Sequence, residues 1–128
     1  MKQLLLVEDE PAVVDSLLMA LEFDFAVHTA TNGRAALDRL AAETFDVVIL
    51  DLMMPVLSGE ELLHELEGKP HPPIVVASAA YQLREVCERL GVKHYLQKPY
   101  RVSALLAKIA ESLCEAPATP GRPVTPPG

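Results

Sequence analysis

The chain has 128 residues, a formal net charge of −7 and an apolar fraction of 50%. This length fits one domain with a core of its own, and the apolar content excludes a chain that is disordered throughout. The acidic balance excludes a direct nucleic-acid surface, because such a surface needs a basic stripe. The apolar runs are too short to cross a bilayer and the first residues lead directly into a strand pattern. We therefore expect a cytoplasmic protein without membrane insertion.

Strand and helix patterns alternate along the chain. The strand patterns cover residues 3–8, 25–29, 46–50, 74–77 and 93–97. The helix patterns begin at residues 11, 35, 58, 81 and 102, and the last one extends to residue 113. Because parallel strands need right-handed helical crossovers, this alternation predicts a parallel sheet covered on both faces. The fold class expected is α/β, a doubly wound sheet of five strands with five helices.

The last residues of the chain differ from the rest in composition. They contain few large apolar side chains and five prolines: Pro117, Pro120, Pro123, Pro126 and Pro127. This proline content excludes a regular element. We therefore predict a folded domain over residues 1–114, followed by a Pro-rich disordered tail or linker over residues 115–128.

Acidic side chains follow two of the predicted strands. Asp51 ends the apolar run 46–50, and the pair Glu8 and Asp9 follows the first strand. If these strands are parallel neighbours, their carboxyl ends bring all three carboxylates into one crevice. Two unit charges about 4 Å apart repel by roughly 4 kcal/mol at an effective dielectric constant of 20. A hard divalent cation such as Mg²⁺ removes that cost, so the sequence predicts an acidic metal-binding pocket.

Two more polar residues follow predicted strands, Ser78 after the fourth and Lys98 after the fifth. Taken singly, each of these residues has an ordinary explanation: Asp51 could cap a turn, Ser78 could be a plain strand-end hydroxyl, and Lys98 could be a solvated lysine. Ligand sites in open α/β sheets lie at the carboxyl ends of the strands. It is therefore the joint occurrence of these residues at strand ends that indicates a functional site.

Together these residues resemble the receiver domain of two-component response regulators, which has a chemotaxis-regulator-like fold. The resemblance covers residues 2 to about 114 and rests on five features in the family's order: Glu8-Asp9, Asp51, Met54-Pro55, Ser78 and Lys98-Pro99. It implies a flavodoxin-like (βα)5 sheet with strand order 2-1-3-4-5. It also implies a cis Lys98-Pro99 bond, which an X-Pro bond readily permits.

The resemblance assigns a role to each residue of the acidic pocket. Asp51 would be the phosphoacceptor, because a carboxylate can act as a nucleophile and form an acyl phosphate. Mg²⁺ would be held by Asp9, Asp51 and the main-chain carbonyl of Met53, with Glu8 acting through a bound water. Lys98 would pair with Asp51 before transfer and with a phosphoryl oxygen after it.

The resemblance also implies a switch and its partners. Ser78 would move to donate its hydroxyl to the phosphoryl group, and Tyr95 would turn inward as it does so, although Tyr95 could also be a plain half-buried aromatic of the strand. This would change the surface formed by the fourth helix, the fifth strand and the fifth helix. The donor would be a sensor histidine kinase or a phosphotransfer protein; the output partner is unknown, and a phosphorylation-dependent dimer is compatible with the pattern. On this interpretation the protein is not an enzyme and catalyses only its own Mg²⁺-dependent phosphorylation and dephosphorylation.

Two positions depart from the usual polar pattern beside the acceptor. Met53 lies two residues after Asp51, and Ala80 lies two residues after Ser78. In the family these positions flank the route of water to the phosphoryl group, and neither side chain here can orient that water. The sequence therefore predicts slow autodephosphorylation.

Three alternatives bear on this interpretation. A receiver fold that works as a phosphorylation-independent docking module remains open, although the intact Glu8, Asp51 and Lys98 speak against it. A phosphatase of the haloacid-dehalogenase type is rejected because it needs a second acid where Met53 stands. A dinucleotide enzyme is rejected because it needs a glycine-rich turn after the first strand.

The remaining residues of chemical interest have no ligand spacing. Cys87 and Cys114 lie in helix patterns and are predicted to be buried or idle thiols. The histidines are scattered and are predicted to be surface residues: His28, His64, His71 and His94.

Overall fold

A computed structural model describes residues 1–115 as one five-stranded sheet with five helices. The strands are β1 (Lys2–Val7), β2 (Phe25–Ala30), β3 (Val47–Leu50), β4 (Ile74–Ser78) and β5 (His94–Gln97). The helices are α1 (Pro11–Leu21), α2 (Gly33–Ala42), α3 (Gly59–Leu66), α4 (Leu83–Leu90) and α5 (Val102–Cys114). The predicted alternation of five strands and five helices is confirmed.

The sheet is parallel throughout, with strand order β2-β1-β3-β4-β5. This confirms the predicted doubly wound fold and its strand order. Pairing continues past the strand ends, since the Asp51 amide donates to the Val7 carbonyl (3.1 Å) and the Glu8 amide to the Ala30 carbonyl (3.0 Å). The backbone therefore fixes the positions of the first acidic residues directly.

Apolar side chains bury both faces of the sheet. Leu5 and Val7 of β1 belong to the core layer under α2, α3 and α4, whereas Leu4 and Leu6 belong to the layer under α1 and α5. Successive strand side chains point to opposite faces, so a strand covered on both sides needs an unbroken apolar run. This explains why the sequence around β1 and β3 shows no polar alternation.

Local signals set the helix ends. The predicted capping box of α3 is present: the Glu61 amide donates to Ser58 Oγ (3.1 Å), and the Ser58 amide donates to Glu61 Oε1 (2.8 Å). Helix α2 begins at Gly33, two residues before the predicted start, because the Asn32 side chain accepts from the Ala35 amide (2.8 Å).

Helix α4 begins at Leu83, two residues later than predicted. Gln82 has a left-handed backbone (φ 53°), and this conformation interrupts the helix on its amino-terminal side. Tyr81, taken as helical from the sequence, lies before this point with 85% of its surface exposed. The four residues 79–82 therefore connect β4 to α4 and are called the β4–α4 segment below.

The described residues end just after α5. None of the helices within residues 1–115 has the length and apolar character that a bilayer crossing requires. The predicted tail lies, from residue 116 onward, outside the described residues, so the proposed boundary at residue 114 stays a prediction.

Candidate functional site

Three carboxylates meet at the carboxyl edge of the sheet. Oxygen atoms of Glu8, Asp9 and Asp51 all lie within 4.8 Å of one another. Glu8 and Asp51 are almost fully buried, with 3% and 6% of their surface exposed. Asp51 Oδ1 accepts a hydrogen bond from the Met53 amide (3.1 Å), which orients the carboxylate within its loop. The structure thus brings together the three acids that the sequence placed in one crevice.

Lys98 reaches this cluster from the end of β5. Its Nζ lies 3.2 Å from Asp51 Oδ2, the pairing that the resemblance implied, and 3.0 Å from Glu8 Oε1. The direct bond to Glu8 was not expected from the sequence, which gave Glu8 only a contact through water. Lys98 is therefore shared between two buried carboxylates. Lys98-Pro99 is a cis peptide bond, as predicted.

The charges of the cluster perturb one another. Burial raises the pKa of the Glu8 carboxyl; the hydrogen bond from Lys98 opposes this shift, and the charge of Asp51 adds to it. Burial by itself would lower the pKa of Lys98, but its hydrogen bonds and charge interactions with Glu8 and Asp51 outweigh burial and raise it. The ammonium form of Lys98 is therefore favoured at neutral pH.

The donor set fits a hard divalent cation. Three carboxylates face one ammonium group, so the cluster keeps an excess of negative charge at close range. Carboxylate and carbonyl oxygens are the ligands that Mg²⁺ prefers, and a low-dielectric site leaves uncompensated acids costly. The described residues therefore form an acidic pocket suited to such an ion.

Ser78 ends β4 and is fully buried. Its Oγ accepts a hydrogen bond from the Ala80 amide (3.2 Å), and its carbonyl accepts from the Lys98 amide (2.9 Å). The Ala80 carbonyl in turn accepts from Nε2 of Gln97 (3.3 Å). The structure thus places Ser78 at the same edge as the acids, in the turn that opens the β4–α4 segment.

Tyr95 lies on β5, where it pairs with Val76 of β4. Its side chain is half-buried against the core layer that includes Leu83 and Cys87 of α4. Tyr95 is therefore next to the helix that follows the β4–α4 segment, and it is not part of the acidic cluster. Its switch role stays a prediction.

Tyr100 is a residue near the site that sequence reasoning missed. Burial raises the pKa of its hydroxyl; the charge of Lys98 opposes this, and the charges of Glu8 and Asp51 add to it. These interactions place the phenol in the electrostatic field of the acidic cluster. A single tyrosine after Lys98-Pro99 has no spacing pattern, so the sequence carries no signal for it.

Two glycines allow close backbone packing beside the loop that begins at Asp51. A Cβ atom on Gly59 would overlap the Asp51 carbonyl oxygen and the Leu52 Cα atom, and one on Gly33 would overlap the Leu57 carbonyl. The Gly59 amide also donates to the Leu52 carbonyl (3.1 Å). The start of α3 is therefore seated directly on the residue that carries the central carboxylate. Glycine at a helix start is a signal that sequence reasoning could have used.

A cavity of about 410 Å³ lies at the opposite end of the sheet, away from the acidic cluster. It is bordered by the first residues of β4 and β5 and by the carboxyl ends of α3, α4 and α5. Its walls include His64, His71 and His94, but these imidazoles do not form a ligand cluster within residues 1–115. The size of this cavity therefore does not make it the candidate site.

The surface prediction for the histidines needs correction at two positions. The His94 side chain is only 11% exposed, with Nε2 3.1 Å from Glu115 Oε1 and Nδ1 3.7 Å from Glu111 Oε1. His28 is half-buried and packs edge-on against Phe45, with ring centroids 5.5 Å apart. His94 lies on β5, which α5 partly covers, and His28 lies on β2, which α2 partly covers. The positions of these histidines in the sequence do not show this packing.

The cysteines match their prediction in part. Cys87 is buried, and burial raises its pKa to about 11, so its thiolate is scarce at neutral pH. Cys114 is exposed near the end of α5. Both are free thiols.

Comparison with known proteins identifies the family to which this arrangement belongs. Residues 4–110 match the response regulator receiver domain. The chain belongs to the response regulator receiver family. It is a receiver domain of two-component signalling, and the resemblance described from the sequence is confirmed. Receiver domains are signalling modules that accept a phosphoryl group, and no observation on residues 1–115 favours the alternative of a docking module without phosphate chemistry.

The relatives show the same domain in different whole proteins. The chain is 38% identical over 111 residues to the response regulator MprA of Mycolicibacterium vanbaalenii, and the match covers 84% of this chain and 48% of MprA. It is 35% identical over 113 residues to the sensor histidine kinase TmoS of Ectopseudomonas mendocina, covering 84% of this chain and 12% of TmoS. The chain therefore spans about half of the length of the first relative and a small part of the second.

Solved receiver structures share the fold. The CheY-like response regulator receiver domain of Methanospirillum hungatei is 28% identical, with a TM-score of 0.81, and the match covers 90% of this chain and 95% of that one. The family match over residues 4–110 includes Glu8, Asp51, Ser78 and Lys98.

Proposed function

We propose that Asp51 is the phosphoacceptor of this receiver domain and that the acidic cluster binds Mg²⁺. The observation that carries the proposal is the buried Asp51 carboxylate, which lies 3.2 Å from Lys98 Nζ and within 4.8 Å of two other acids. A structural carboxylate has no need of a neighbouring acidic pair. In phosphoryl transfer, acidic residues hold the metal ion that neutralises the charge developing on the transferred group.

The transfer reaction follows from these positions. An oxygen of Asp51 attacks the phosphorus atom of a phosphohistidine, the P–O bond forms, the P–N bond breaks, and the donor imidazole leaves with its electron pair. Charge accumulates on the phosphoryl oxygens in the loose transition state. Lys98 would stabilise that charge by exchanging its hydrogen bond to Asp51 for one to a phosphoryl oxygen. Bound Mg²⁺ would neutralise further charge on the same oxygens.

The ligands proposed for the ion are Asp9, Asp51 and the main-chain carbonyl of Met53, with Glu8 acting through water. Because Glu8 shares Lys98 with Asp51, its bond to the ammonium competes with a role beside the ion. Release of Lys98 toward the phosphoryl group would free Glu8 for that role. This exchange links metal binding to phosphoryl transfer through two side chains.

Ser78 and Tyr95 are proposed as the switch. The Ser78 hydroxyl would donate to a phosphoryl oxygen on Asp51, and Tyr95 would turn inward beside α4 as the β4–α4 segment moves. Phosphorylation would thereby bias a pre-existing equilibrium of the α4, β5 and α5 surface. The half-buried position of Tyr95 against the core layer that contains Leu83 supports this coupling.

The partners proposed are a sensor histidine kinase or a phosphotransfer protein as donor and an output partner of unknown identity. A phosphorylation-dependent dimer through the α4-β5-α5 surface is part of the same proposal. The proposed location is the cytoplasm, where such donors present their phosphohistidine. The domain would catalyse its own phosphorylation and dephosphorylation, both with Mg²⁺.

Incubation with acetyl phosphate tests the assignment of the acceptor. Wild type, Asp51→Asn and Asp38→Asn are compared by phosphate-affinity electrophoresis with and without Mg²⁺; Asp38 is an exposed acid of α2 and serves as the matched control. The expected result is an Mg²⁺-dependent shifted band for wild type and Asp38→Asn that Asp51→Asn lacks. A shifted band of equal intensity from Asp51→Asn would refute the proposal.

A further inference from the structure

The β4–α4 segment is held by two hydrogen bonds that meet at one residue. The Ala80 amide donates to Ser78 Oγ at 3.2 Å, and the Ala80 carbonyl accepts from Gln97 Nε2 at 3.3 Å. Ala79, Tyr81 and Gln82 are exposed, whereas Ala80 is partly buried against the core layer that contains Leu83. Leu83, which is buried at 2% exposure, anchors only its far end.

Gln97 is positioned to restrain the β4–α4 segment. Its backbone pairs with Ser78 in the β4–β5 ladder, and the next residue, Lys98, donates its amide to the Ser78 carbonyl. The Gln97 side chain is exposed and has no other described bond. It therefore connects the strand that carries Lys98 to the segment that follows Ser78, across the outside of the turn.

Movement of Ser78 strains this connection. In the arrangement described, the Ser78 hydroxyl bonds to Ala80. To donate to a phosphoryl group on Asp51, the Ser78 hydroxyl must either lose its hydrogen bond from the Ala80 amide or move together with Ala80. If Ala80 moves with Ser78, its carbonyl moves away from the Gln97 amide. The hydrogen bond from Gln97 thus favours the arrangement in which Ser78 has not moved.

We propose that Gln97 is a positioning residue that restrains the β4–α4 segment through the Ala80 carbonyl and thereby opposes the movement of Ser78 toward phosphorylated Asp51. The inference rests on the proposed function of Ser78 and Asp51. It assigns to Gln97 the role of setting how readily phosphorylation shifts the switch. One exposed hydrogen bond changes such an equilibrium by about 2- to 10-fold.

Binding of beryllium trifluoride, a phosphoryl mimic, tests the inference in the presence of Mg²⁺. Gln97→Met keeps the length of the side chain and removes its donor, and Lys93→Met is the matched control at an exposed position before β5. Titrations followed by amide NMR resonances are expected to show a dissociation constant about 2- to 10-fold lower for Gln97→Met than for wild type. Lys93→Met is expected to bind as wild type does.

A double-mutant cycle separates positioning from a general effect on stability. In a Ser78→Ala background the gain from Gln97→Met should vanish, because the connection through Ser78 Oγ is already broken. A purely structural role would instead lower the melting temperature of Gln97→Met and leave its affinity for the mimic equal or weaker.

The outcomes distinguish the two proposals. If wild type binds the mimic and Gln97→Met binds no tighter, the role of Gln97 is refuted while the proposed acceptor site stands. A gain of equal size in the Ser78→Ala background would also refute it. If wild type does not bind the mimic, the proposed function fails and the inference fails with it.

Discussion

Removal of the Lys98 ammonium should destabilise the fold in a way that depends on Mg²⁺ and on pH. Lys98→Met keeps most of the apolar stem but leaves Glu8 and Asp51, 3% and 6% exposed, without their shared cation. Their nearest oxygens lie within 4.8 Å of each other. The repulsion between the two acids is present in wild type as well, and the substitution removes the attraction of Lys98 for both of them; removing one partner of a buried charge pair costs about 3–5 kcal/mol. We expect the free energy of unfolding near neutral pH, without divalent cations, to fall by about this amount.

Acidification should reverse part of the loss. Burial raises the pKa of Glu8 above its ordinary value of 4.5, with the hydrogen bond from Lys98 opposing and the charge of Asp51 adding to the shift. A raised carboxyl pKa contributes stability that is complete below 4.5 and is lost as pH rises through the folded-state value. Lys98→Met removes the opposing bond, so the pKa of Glu8 should rise further. The difference in stability from wild type should therefore shrink as pH falls toward 4.5.

The assay is equilibrium urea unfolding of wild type, Lys98→Met and Lys93→Met. Millimolar Mg²⁺ should stabilise Lys98→Met more than wild type, because the ion replaces the missing positive charge in the cluster. Lys93 is exposed, so Lys93→Met should stay within about 0.5 kcal/mol of wild type. A loss for Lys98→Met that is the same with and without Mg²⁺ and at both ends of the pH range would refute the electrostatic argument.

Three further changes test the surroundings of the acceptor. Met53→Asn places an amide beside Asp51 and should shorten the lifetime of the phosphorylated protein by roughly tenfold, as measured by decay of the shifted band. The wild-type lifetime is expected to be long, so a wild-type half-life of seconds would contradict the premise. Gly59→Ala adds a Cβ that overlaps the Asp51 backbone, so it should lower the free energy of unfolding by about 1–3 kcal/mol and slow phosphorylation by acetyl phosphate. If both values are unchanged, the loop accommodates the extra atom without cost and the prediction is wrong. Val56 has φ 70° and is 78% exposed, so Val56→Asn should raise stability by about 1 kcal/mol in the same unfolding assay, and a decrease would count against backbone strain there.

The residues at strand ends could be predicted from the sequence because a parallel sheet fixes where they go. Once apolar runs and helix patterns alternate, the carboxyl end of each strand falls at one edge, and Asp51, Ser78 and Lys98 need no further information to be placed there. The strand order, by contrast, was implied by the family resemblance and did not follow from the alternation of strands and helices. Backbone pairing, not side-chain detail, determines these positions.

What the sequence did not show depends on side-chain length and on local backbone angles. Glu8 reaches Lys98 directly because a glutamate is one methylene longer than an aspartate, and no spacing rule conveys that reach. The start of α4 shifts because Gln82 adopts a left-handed conformation, which is rare for a residue with a side chain. His94 lies against Glu111 of α5 and Glu115 just after it, and only the packing of that helix reveals these contacts. Two of these misses concern contacts between distant segments, and the third concerns a local backbone angle.

The shared bonds of Lys98 have a consequence for how the domain is made. Lys98 lies 90 positions after Glu8 and 47 after Asp51 in the chain, and β5 is the last strand to be synthesised. A growing polypeptide that has assembled the first four strands would already hold the acids together with no ammonium beside them. Contacts between such distant positions form late, because their loop-closure cost is high. With the role proposed for Lys98, the ability to accept a phosphoryl group would arise only when synthesis of the domain is nearly finished, and a partly synthesised domain would not react with its donor.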